Sequence, residues 1–293
     1  MRELALVGAG RVGRAFLKFW NDRDMVIVDP HVSMTDFLGQ AVIDNIDFGI
    51  AKTAVIATPG GVAPLKIIQC FEAGMNVVDA SFHNGDNEEL GKIAEQNGCW
   101  YVPDAGFGPG ILNMMVARVG LNNPDANIIN AYVGGVPAIQ EGPWFYKSTW
   151  NAADHLAEYT RPARYIQHHQ IKKVMPLEGG IRVVNTSIGD MEAFCSDGLR
   201  TLLKNPIAPN MAEFTLRWPG FIKNMQLMYQ SGMLRPDTIN AFARGIEKSK
   251  IWYFGNDEQD VSILFVEAIN AFKTIGMRMV HRRYPHFEHS SMS

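Results

Sequence analysis

Residues 4–13 read Leu-Ala-Leu-Val-Gly-Ala-Gly-Arg-Val-Gly, and residues 25–29 read Met-Val-Ile-Val-Asp. An apolar run, a glycine turn, a segment with apolar residues at helical spacing and a second apolar run follow in the order of a dinucleotide-binding unit. Gly8 allows a tight turn, Gly10 lets the backbone approach a pyrophosphate, and Gly13 lets the helix lie close to the strand. The predicted cofactor-binding residues of this turn are Gly8, Gly10, Arg11, Val12 and Gly13.

Asp29 lies 19 residues after Gly10, at the end of the second apolar run. A carboxylate at this place can accept hydrogen bonds from the adenosine ribose hydroxyls. It would repel a 2′-phosphate, and the following Pro30 and His31 supply no arginine to hold one. The sequence therefore predicts NAD as the cofactor, in preference to NADP.

Short apolar runs and helical patterns continue to alternate up to residue 102. Strands are predicted at 53–57, 76–78 and 100–102, with helices at 62–73 and 87–97. Continuous apolar strands in this alternation predict an α/β fold, with a Rossmann-type parallel sheet over residues 1–112. Ligands collect at the carboxyl ends of such strands. Further cofactor-binding residues are therefore predicted at Thr58, Pro59, Asp79, Ser81 and Gly106.

The pattern changes after residue 112, where longer runs of alternating apolar and polar residues begin. Alternation of this kind favours a largely antiparallel sheet. We predict a second, α+β domain over residues 113–293, built on a mostly antiparallel sheet. Its predicted strands are 129–136, 163–168, 170–175, 181–185, 211–218 and 260–268. Its predicted helices lie near 111–119, 152–158, 196–203, 219–231 and 236–247.

The composition is typical of a soluble globular protein. The 293 residues carry a net charge of −3, with 47% hydrophobic and 19% charged residues. The sequence contains no basic run for nucleic acid and no apolar run long enough to span a bilayer, and we expect no cleavable leader. We therefore expect a cytoplasmic protein with a small-molecule amino-acid substrate and with neither nucleic-acid nor membrane partners.

Metal binding is not predicted. The three cysteines are far apart in sequence, which is typical of reduced thiols in a cytoplasmic protein. His168 and His169 fall in a predicted strand, where neighbouring side chains point to opposite faces and cannot clamp one ion.

Several later stretches resemble the saccharopine dehydrogenase family. Residues 104–113 read Asp-Ala-Gly-Phe-Gly-Pro-Gly-Ile-Leu-Asn, which is similar to the G-x-x-PG-x-x-N turn of that family. The resemblance covers most of residues 1–220 in the family's order, and the lysine 6-dehydrogenase branch is the most similar. The other similar stretches are Tyr146-Lys147, Trp150 to Pro162 with Glu158-Tyr159, 192–203 and 213–220.

This resemblance implies an NAD-dependent dehydrogenase that oxidises a carbon–nitrogen bond of an amino acid. In the lysine 6-dehydrogenase branch, hydride leaves the carbon that bears the side-chain amine, and the resulting imine is hydrolysed to an aldehyde. Two alternatives stay open: a saccharopine or carboxynorspermidine type of enzyme acting on a secondary amine, and a non-catalytic NAD-binding protein. Family members continue past an S-M-x-R-T-G segment, whereas this sequence ends at Ser293, so the resemblance is to a C-terminally shortened relative. The open second sheet and the family analogy predict a homodimer.

The implied chemistry needs a cation for the substrate carboxylate and a base for the reacting nitrogen. Arginine binds carboxylates through paired hydrogen bonds, which makes Arg217 the first candidate and Arg161 the second. A general base must deprotonate the amine and activate water, and a buried lysine or a carboxylate could serve. The candidates that stay open for this step are Asp104, Lys147, Glu158 and Tyr159. The predicted catalytic set is Asp104, Lys147, Tyr159 and Arg217.

Overall fold

The computed structural model describes residues 2–20, 24–33, 40–142, 144–147, 152–254, 258–283 and 291. The chain divides into two compact units, residues 1–106 and 107–292. The first unit ends at Gly106, whereas the sequence predicts a division after residue 112. Trp150, in one of the family-like stretches, lies outside the described residues.

The first unit alternates strands and helices along the chain. Its described elements are β1 (Arg2–Val7), α1 (Arg11–Phe19), β2 (Met25–Val28), β3 (Ala41–Ile43), β4 (Ala51–Ile56), α2 (Ala63–Glu72), β5 (Asn76–Asp79), α3 (Asn87–Gln96) and β6 (Tyr101–Val102). The strands pair in the order β3-β2-β1-β4-β5-β6, and every pairing described for this sheet is parallel. This is the strand order of dinucleotide-binding α/β folds. The predicted Rossmann-type sheet is confirmed.

The turn between β1 and α1 excludes side chains at two of its glycines. Gly8 has a φ of +98°, in the left-handed region, and a Cβ added there would lie 2.7 Å from the carbonyl oxygen of Ala57. A Cβ added at Gly13 would lie 2.1 Å from the carbonyl oxygen of Gly8. At Gly10, by contrast, an added Cβ would meet nothing within 4 Å. Gly8 and Gly13 are therefore required by the fold, while Gly10 leaves open space.

The second unit contains a larger sheet with helices packed against it. Its described elements are α4 (Ile111–Leu121), β7 (Ile128–Pro137), α5 (Ala152–Thr160), β8 (Ala163–Gln167), β9 (Gln170–Val174), β10 (Arg182–Thr186), β11 (Gly189–Ser196), a 3₁₀ helix (Arg200–Leu203), β12 (Asn210–Arg217), α6 (Phe221–Gln230), α7 (Ile239–Ser249), β13 (Asp260–Ile269) and β14 (Thr274–Arg282). The strands follow the order β10-β11-β12-β7-β13-β14, and β8 joins the sheet through β12. The β12–β7 pairing is parallel and the other pairings described for this sheet are antiparallel. The α+β fold is confirmed, with a mixed sheet.

Two strands of the second unit are missing from the sequence prediction. β11 contains Met191, Glu192 and Ala193, residue types that favour helices, and this hides its strand character. The predicted helix at 196–203 is consequently wrong, because Ser196 ends β11 and the 3₁₀ helix begins only at Arg200. β14 mixes exposed apolar residues with Arg and His, so it shows no clear buried face in sequence.

The prediction of a strand over His168 and His169 is also wrong. Both residues have positive φ angles, 51° and 62°, and they form the two-residue turn that joins β8 to β9. Two successive positive φ values are typical of the type I′ hairpin turn, whose twist matches that of the flanking strands.

Gly13→Ala should destabilise the protein by roughly 3 kcal/mol, because the new Cβ overlaps a backbone oxygen that cannot move without opening the β1–α1 turn. Gly10→Ala is the matched control and should cost less than about 1 kcal/mol, the usual effect at a helix N-cap. Urea unfolding of the two variants measures the difference. Equal losses would contradict the close packing of this turn.

Candidate functional site

Asp29 closes the glycine loop of the first unit. Its Oδ2 accepts a hydrogen bond from the Ala9 N–H at 2.8 Å, and its Oδ1 accepts one from the His31 N–H at 2.9 Å. Gly8 donates its N–H to the Val28 carbonyl oxygen at 3.0 Å, which ties the loop to the end of β2. Each carboxylate oxygen retains a second lone pair, so Asp29 can hold the loop and still accept hydrogen bonds from a ligand.

Helix α1 presents its N-terminus beside this loop. Gly10 is the N-cap residue, it is exposed, and no side-chain hydrogen bond caps the helix. Val12, in the first turn, is 41% exposed. Backbone N–H groups and the positive end of the helix dipole favour an anion at such an end. The residues of the predicted phosphate-binding turn therefore fit the pyrophosphate of a dinucleotide.

The strand ends of the first unit lie side by side, as the sequence predicts. Val7 pairs with Val28 on one side and with Ile56 on the other, and Ile56 pairs with Asp79. The predicted cofactor-binding residues that follow these positions therefore share one edge of the sheet. This edge is where open α/β sheets bind ligands.

Thr58 and Pro59 follow β4 at this edge. The Thr58 hydroxyl oxygen is buried and has no hydrogen-bond partner within the described part of the chain. The Pro59 carbonyl oxygen accepts hydrogen bonds from the N–H groups of Val62 and Ala63, at 3.1 and 3.2 Å, and so starts helix α2. Pro59 thus has a structural role, while the Thr58 hydroxyl still has capacity for a hydrogen bond.

Asp79 and Ser81, both predicted to bind cofactor, are held in a buried network. Asp79 is fully buried, and its Oδ1 accepts hydrogen bonds from the Ser81 N–H at 2.9 Å and from the Ser81 hydroxyl at 2.5 Å. Its Oδ2 lies 2.9 Å from His83 Nε2 and accepts a hydrogen bond from the Tyr101 hydroxyl at 3.1 Å. Four contacts satisfy this carboxylate within the unit, so its first role is to fix the end of β5.

His83 and Tyr101 are members of this network that sequence reasoning missed. His83 Nδ1 accepts a hydrogen bond from the Gly85 N–H at 3.0 Å, so the ring proton is on Nε2 and is donated to Asp79. The signal in the sequence is the spacing Asp79-x-Ser81-x-His83 directly after a strand.

Asp104 follows β6 at the same edge of the sheet. It is buried and has a φ of 54°, a left-handed conformation that aspartate tolerates better than most residues. The neighbouring Ala105 donates its N–H to the Asp79 carbonyl oxygen at 2.7 Å. Asp104 and Gly106 therefore belong to the first unit, as does the glycine loop that Asp29 closes.

A row of polar side chains lies on one face of β12 in the second unit. Glu213, Thr215 and Arg217 alternate along the strand and so point to the same side, towards Glu158 and Tyr159 of α5. The Thr215 hydroxyl donates to Glu158 Oε1 at 2.6 Å. Three of the residues proposed from sequence, Glu158, Tyr159 and Arg217, are thus brought together. The period-two spacing of polar residues in an otherwise apolar strand is a sequence signal that could have identified Glu213 and Thr215 as well.

The Arg217 guanidinium is buried and hydrogen-bonded to groups of the second unit. Its side chain is 5% exposed, its Nη2 donates to Glu158 Oε2 at 2.8 Å, and its Nε donates to the Tyr159 hydroxyl at 3.0 Å. Its Nη1 donates to the carbonyl oxygen of Leu216. Glu158 neutralises the guanidinium, so the pair behaves as a buried ion pair.

His155 and Tyr159 stay uncharged beside this ion pair. Burial lowers the pKa of His155 well below its usual value, and the Arg217 charge adds to that effect. Burial also raises the pKa of Tyr159 well above its usual value, although Arg217 opposes the rise. His155 Nδ1 lies 3.1 Å from the Tyr146 hydroxyl, and its Nε2 lies 3.4 Å from the Tyr159 hydroxyl. A buried phenol of this kind is a poor general base and a good hydrogen-bond donor.

Glu213 is the buried carboxyl at the other end of the row. Its Oε2 lies 2.6 Å from the Ser196 hydroxyl and accepts the Gly198 N–H at 3.0 Å. A Cβ added at Gly198 would lie 2.7 Å from the Glu213 carboxyl carbon, so only glycine allows this approach. Burial is the main cause that raises the pKa of Glu213 to about 8, and the Glu158 charge acts in the same direction.

Lys147 lies apart from these contacts, whereas Arg161 lies close enough to Asp197 and Glu158 for their charges to act on it. The Lys147 ammonium forms an ion pair with the Glu258 carboxylate and is partly exposed. Arg161 directly follows α5 and is partly buried, and burial lowers its pKa while the charges of Asp197 and Glu158 oppose this. The described contacts therefore do not join Lys147 to the other predicted catalytic residues.

Comparisons with known proteins agree with these observations. The family model of the saccharopine dehydrogenase C-terminal domain matches residues 106–290. The chain belongs to the saccharopine dehydrogenase family. It is 26% identical over 196 residues to the mitochondrial alpha-aminoadipic semialdehyde synthase of Rattus norvegicus, which covers 61% of this chain and 21% of that protein. It is 29% identical over 139 residues to the alpha-aminoadipic semialdehyde synthase of Arabidopsis thaliana, which covers 43% of this chain and 13% of that protein.

The fold of this saccharopine dehydrogenase family member is also similar to a solved structure. The apo saccharopine dehydrogenase (L-Glu forming) of Saccharomyces cerevisiae aligns with a TM-score of 0.76 and 14% identity, over 100% of this chain and 88% of that one. The chain spans about a fifth of the length of the curated relatives it matches. In the part of the chain that the structure describes, no helix has the length and apolar character needed to cross a bilayer, and no group of three His, Cys, Asp or Glu residues could hold a metal ion.

Arg217→Met should destabilise this family member by about 3–5 kcal/mol, because it leaves the Glu158 carboxylate buried without its cation. The double variant Glu158→Gln/Arg217→Met should recover most of that loss. Lys52→Met is the control, since Lys52 pairs with Glu3 on an exposed surface and such pairs contribute less than about 1 kcal/mol. Urea unfolding measures all three. A double variant no more stable than Arg217→Met would contradict the pairing.

Glu213→Gln should remove a pH-dependent part of the stability. Between the usual pKa of 4.5 and the raised value of about 8, the folded protein keeps a proton on Glu213 that the unfolded chain has lost. The free energy of unfolding should therefore fall as pH rises through that window, by up to about 1.4 kcal/mol per pH unit relative to the variant. Urea unfolding at several pH values measures the slope. If the free energy of unfolding depended on pH in the same way in the wild type and in Glu213→Gln, Glu213 would be ionised in the folded protein.

Proposed function

We propose that the chain is an NAD-dependent oxidoreductase acting on a carbon–nitrogen bond of an amino acid. The observation that carries this proposal is the loop closed by the Asp29–Ala9 hydrogen bond in front of the uncapped N-terminus of α1. Membership of the saccharopine dehydrogenase family supplies the reaction class. A bound nicotinamide dinucleotide would supply the hydride acceptor of such a reaction.

The chain's own residues would hold the dinucleotide by the two ends of this loop. The backbone N–H groups at the start of α1, next to Gly10, would bind the pyrophosphate. The free lone pairs of Asp29 would accept hydrogen bonds from the ribose hydroxyls, and its negative charge would repel a 2′-phosphate. We therefore propose NAD rather than NADP.

The amino-acid substrate would need a cation for its carboxylate. Arg217 is enclosed and already bound to Glu158, so a substrate could reach it only by displacing that carboxylate. Arg161 is less deeply buried and directly follows α5. We therefore propose Arg161 for the carboxylate, and Glu158, with a side chain 14% exposed, as the general base.

Lysine is the proposed substrate, oxidised at its side-chain amine as in the lysine 6-dehydrogenase branch. Saccharopine, a secondary amine, is the second candidate. It is favoured by the likeness of the fold to the saccharopine dehydrogenase of Saccharomyces cerevisiae. A secondary amine of this kind carries a further carboxylate, so its binding would require a second cation.

A homodimer is the proposed assembly. β14 is an edge strand of the second sheet, and most of its residues are exposed. Its apolar Ile275 and Val280 are 39% and 37% exposed. An exposed edge strand with apolar side chains favours pairing with another strand.

Gly10→Ala should weaken NADH binding at least tenfold while leaving the protein folded, because its Cβ enters the open space that a pyrophosphate would occupy. Gly91→Ala is the matched control, since its Cβ also meets nothing within 4 Å but lies on α3. Isothermal titration calorimetry measures both affinities. Equal affinities in the two variants would rule out this loop as the dinucleotide site.

The substrate is tested by NADH absorbance with NAD and one amine at a time: lysine, ornithine, saccharopine or carboxynorspermidine. NADH formation with lysine alone would support the proposed reaction, and formation with a secondary amine alone would support the second candidate. Tight NADH binding with no reaction in any mixture would contradict the proposed activity and leave a binding protein.

A further inference from the structure

Four side chains of the second unit form a continuous line of short oxygen–oxygen contacts. Glu213 Oε2 lies 2.6 Å from the Ser196 hydroxyl, which lies 2.7 Å from the Thr215 hydroxyl. The Thr215 hydroxyl in turn lies 2.6 Å from Glu158 Oε1. Separations of this size are typical of O–H···O hydrogen bonds, each of which needs one proton between its oxygens.

The number of protons in this line decides its chemistry. The line has three contacts, whereas the Ser196 and Thr215 hydroxyls supply only two protons. If both carboxyl groups were ionised, the two hydroxyl protons could occupy only two of the three contacts. The third pair of oxygens would then lie at hydrogen-bond distance with no hydrogen between them. A third proton must therefore be on Glu213 or on Glu158.

Glu213 is the better place for that proton. Glu158 lies 2.8 Å from the Arg217 guanidinium, a cation that forms a charge-assisted hydrogen bond with a carboxylate. Glu213 is buried, and it contacts the Ser196 hydroxyl and the Gly198 N–H. A buried carboxyl without a cation favours its neutral form.

The hydrogen bonds from Ser196 and from the Gly198 N–H favour ionised Glu213, but burial and two nearby negative charges outweigh them. Besides Glu158, the negative charge of Asp197 disfavours ionisation of Glu213. Asp197 itself accepts two hydrogen bonds from the Arg164 guanidinium, at 2.8 and 2.7 Å. The nearby Cys195 thiol stays neutral, because burial raises its pKa to about 12.

We propose that Glu213 is a neutral carboxylic acid in the folded protein and that Ser196 and Thr215 relay its proton to Glu158. In the resting state Glu213 donates to Ser196, Ser196 donates to Thr215, and Thr215 donates to Glu158. In the transfer, each of the three protons crosses its own hydrogen bond, from the donor oxygen to the acceptor oxygen. It leaves Glu213 ionised and Glu158 neutral, with no change in the total charge.

The relay gives Glu158 an internal proton supply. Glu158 is the partly exposed end of the line, with a side chain 14% exposed, whereas Glu213 is enclosed. The relay carries a proton from Glu213 through the two hydroxyls to Glu158, which can then give it to a reacting group. The use of this relay during turnover rests on the proposed function. The protonation state of Glu213 and the coupling along the line do not depend on that function.

The test is infrared spectroscopy of the full chain, with ¹³C-labelled glutamate, as a function of pH. The wild type should show the carbonyl band of a neutral glutamic acid at pH 7, and Glu213→Gln should remove it. Absence of this band in the wild type, or its survival in Glu213→Gln, would overturn the proposal. Circular dichroism establishes that each variant is folded.

Two further variants test the line itself by shifts of opposite sign. Thr215→Val frees the Ser196 hydroxyl to donate to an ionised Glu213, so the midpoint of the acid band should fall by about one pH unit. Ser196→Ala removes the donor to an ionised Glu213, so the midpoint should rise. Thr215→Ser keeps the hydroxyl and should leave it unchanged. An unchanged midpoint in Thr215→Val, or shifts of the same sign in the first two variants, would overturn the relay.

Discussion

Burial of the Arg217 guanidinium is the constraint on which the polar interior of the second unit depends. A charge that has left water needs a counter-charge and a partner for each donor, and Glu158, Tyr159 and the Leu216 carbonyl meet this need. Because Glu158 is held by Arg217 and by Thr215, helix α5 is fixed against strand β12. The neighbouring His155 stays neutral, because burial lowers its pKa and the Arg217 charge adds to that effect.

The two units use carboxylates in different ways. In the first unit, Asp29 and Asp79 accept hydrogen bonds from nearby groups at strand ends and so fix the shape of loops. In the second unit, Glu158 and Glu213 lie among side chains that are distant in sequence, on the face of a sheet. The first arrangement fixes the backbone at the edge of the sheet, and the second links helix α5 to strands β11 and β12 through side chains.

The first unit was the more predictable from sequence, because its signals are local. Gly8, Gly13 and Asp29 have roles set by the turn and by the strand next to it, so their spacing is enough to predict the fold. The cluster around Arg217 depends on which strands pair, and β11 was hidden by its helix-favouring residues. Ser196 and Glu213 face each other only because β11 and β12 pair in one register, which no local pattern reports.

The hydrogen bond between Asp29 and the Ala9 N–H has a consequence for protein engineering. Replacing this acidic residue is an obvious way to change the coenzyme preference of an enzyme of this type. Here the same carboxylate also holds the glycine loop closed, at 2.8 Å from the backbone. A redesign for a phosphorylated coenzyme would therefore have to keep an acceptor at position 29, as asparagine does, and introduce its positive charge at a neighbouring residue.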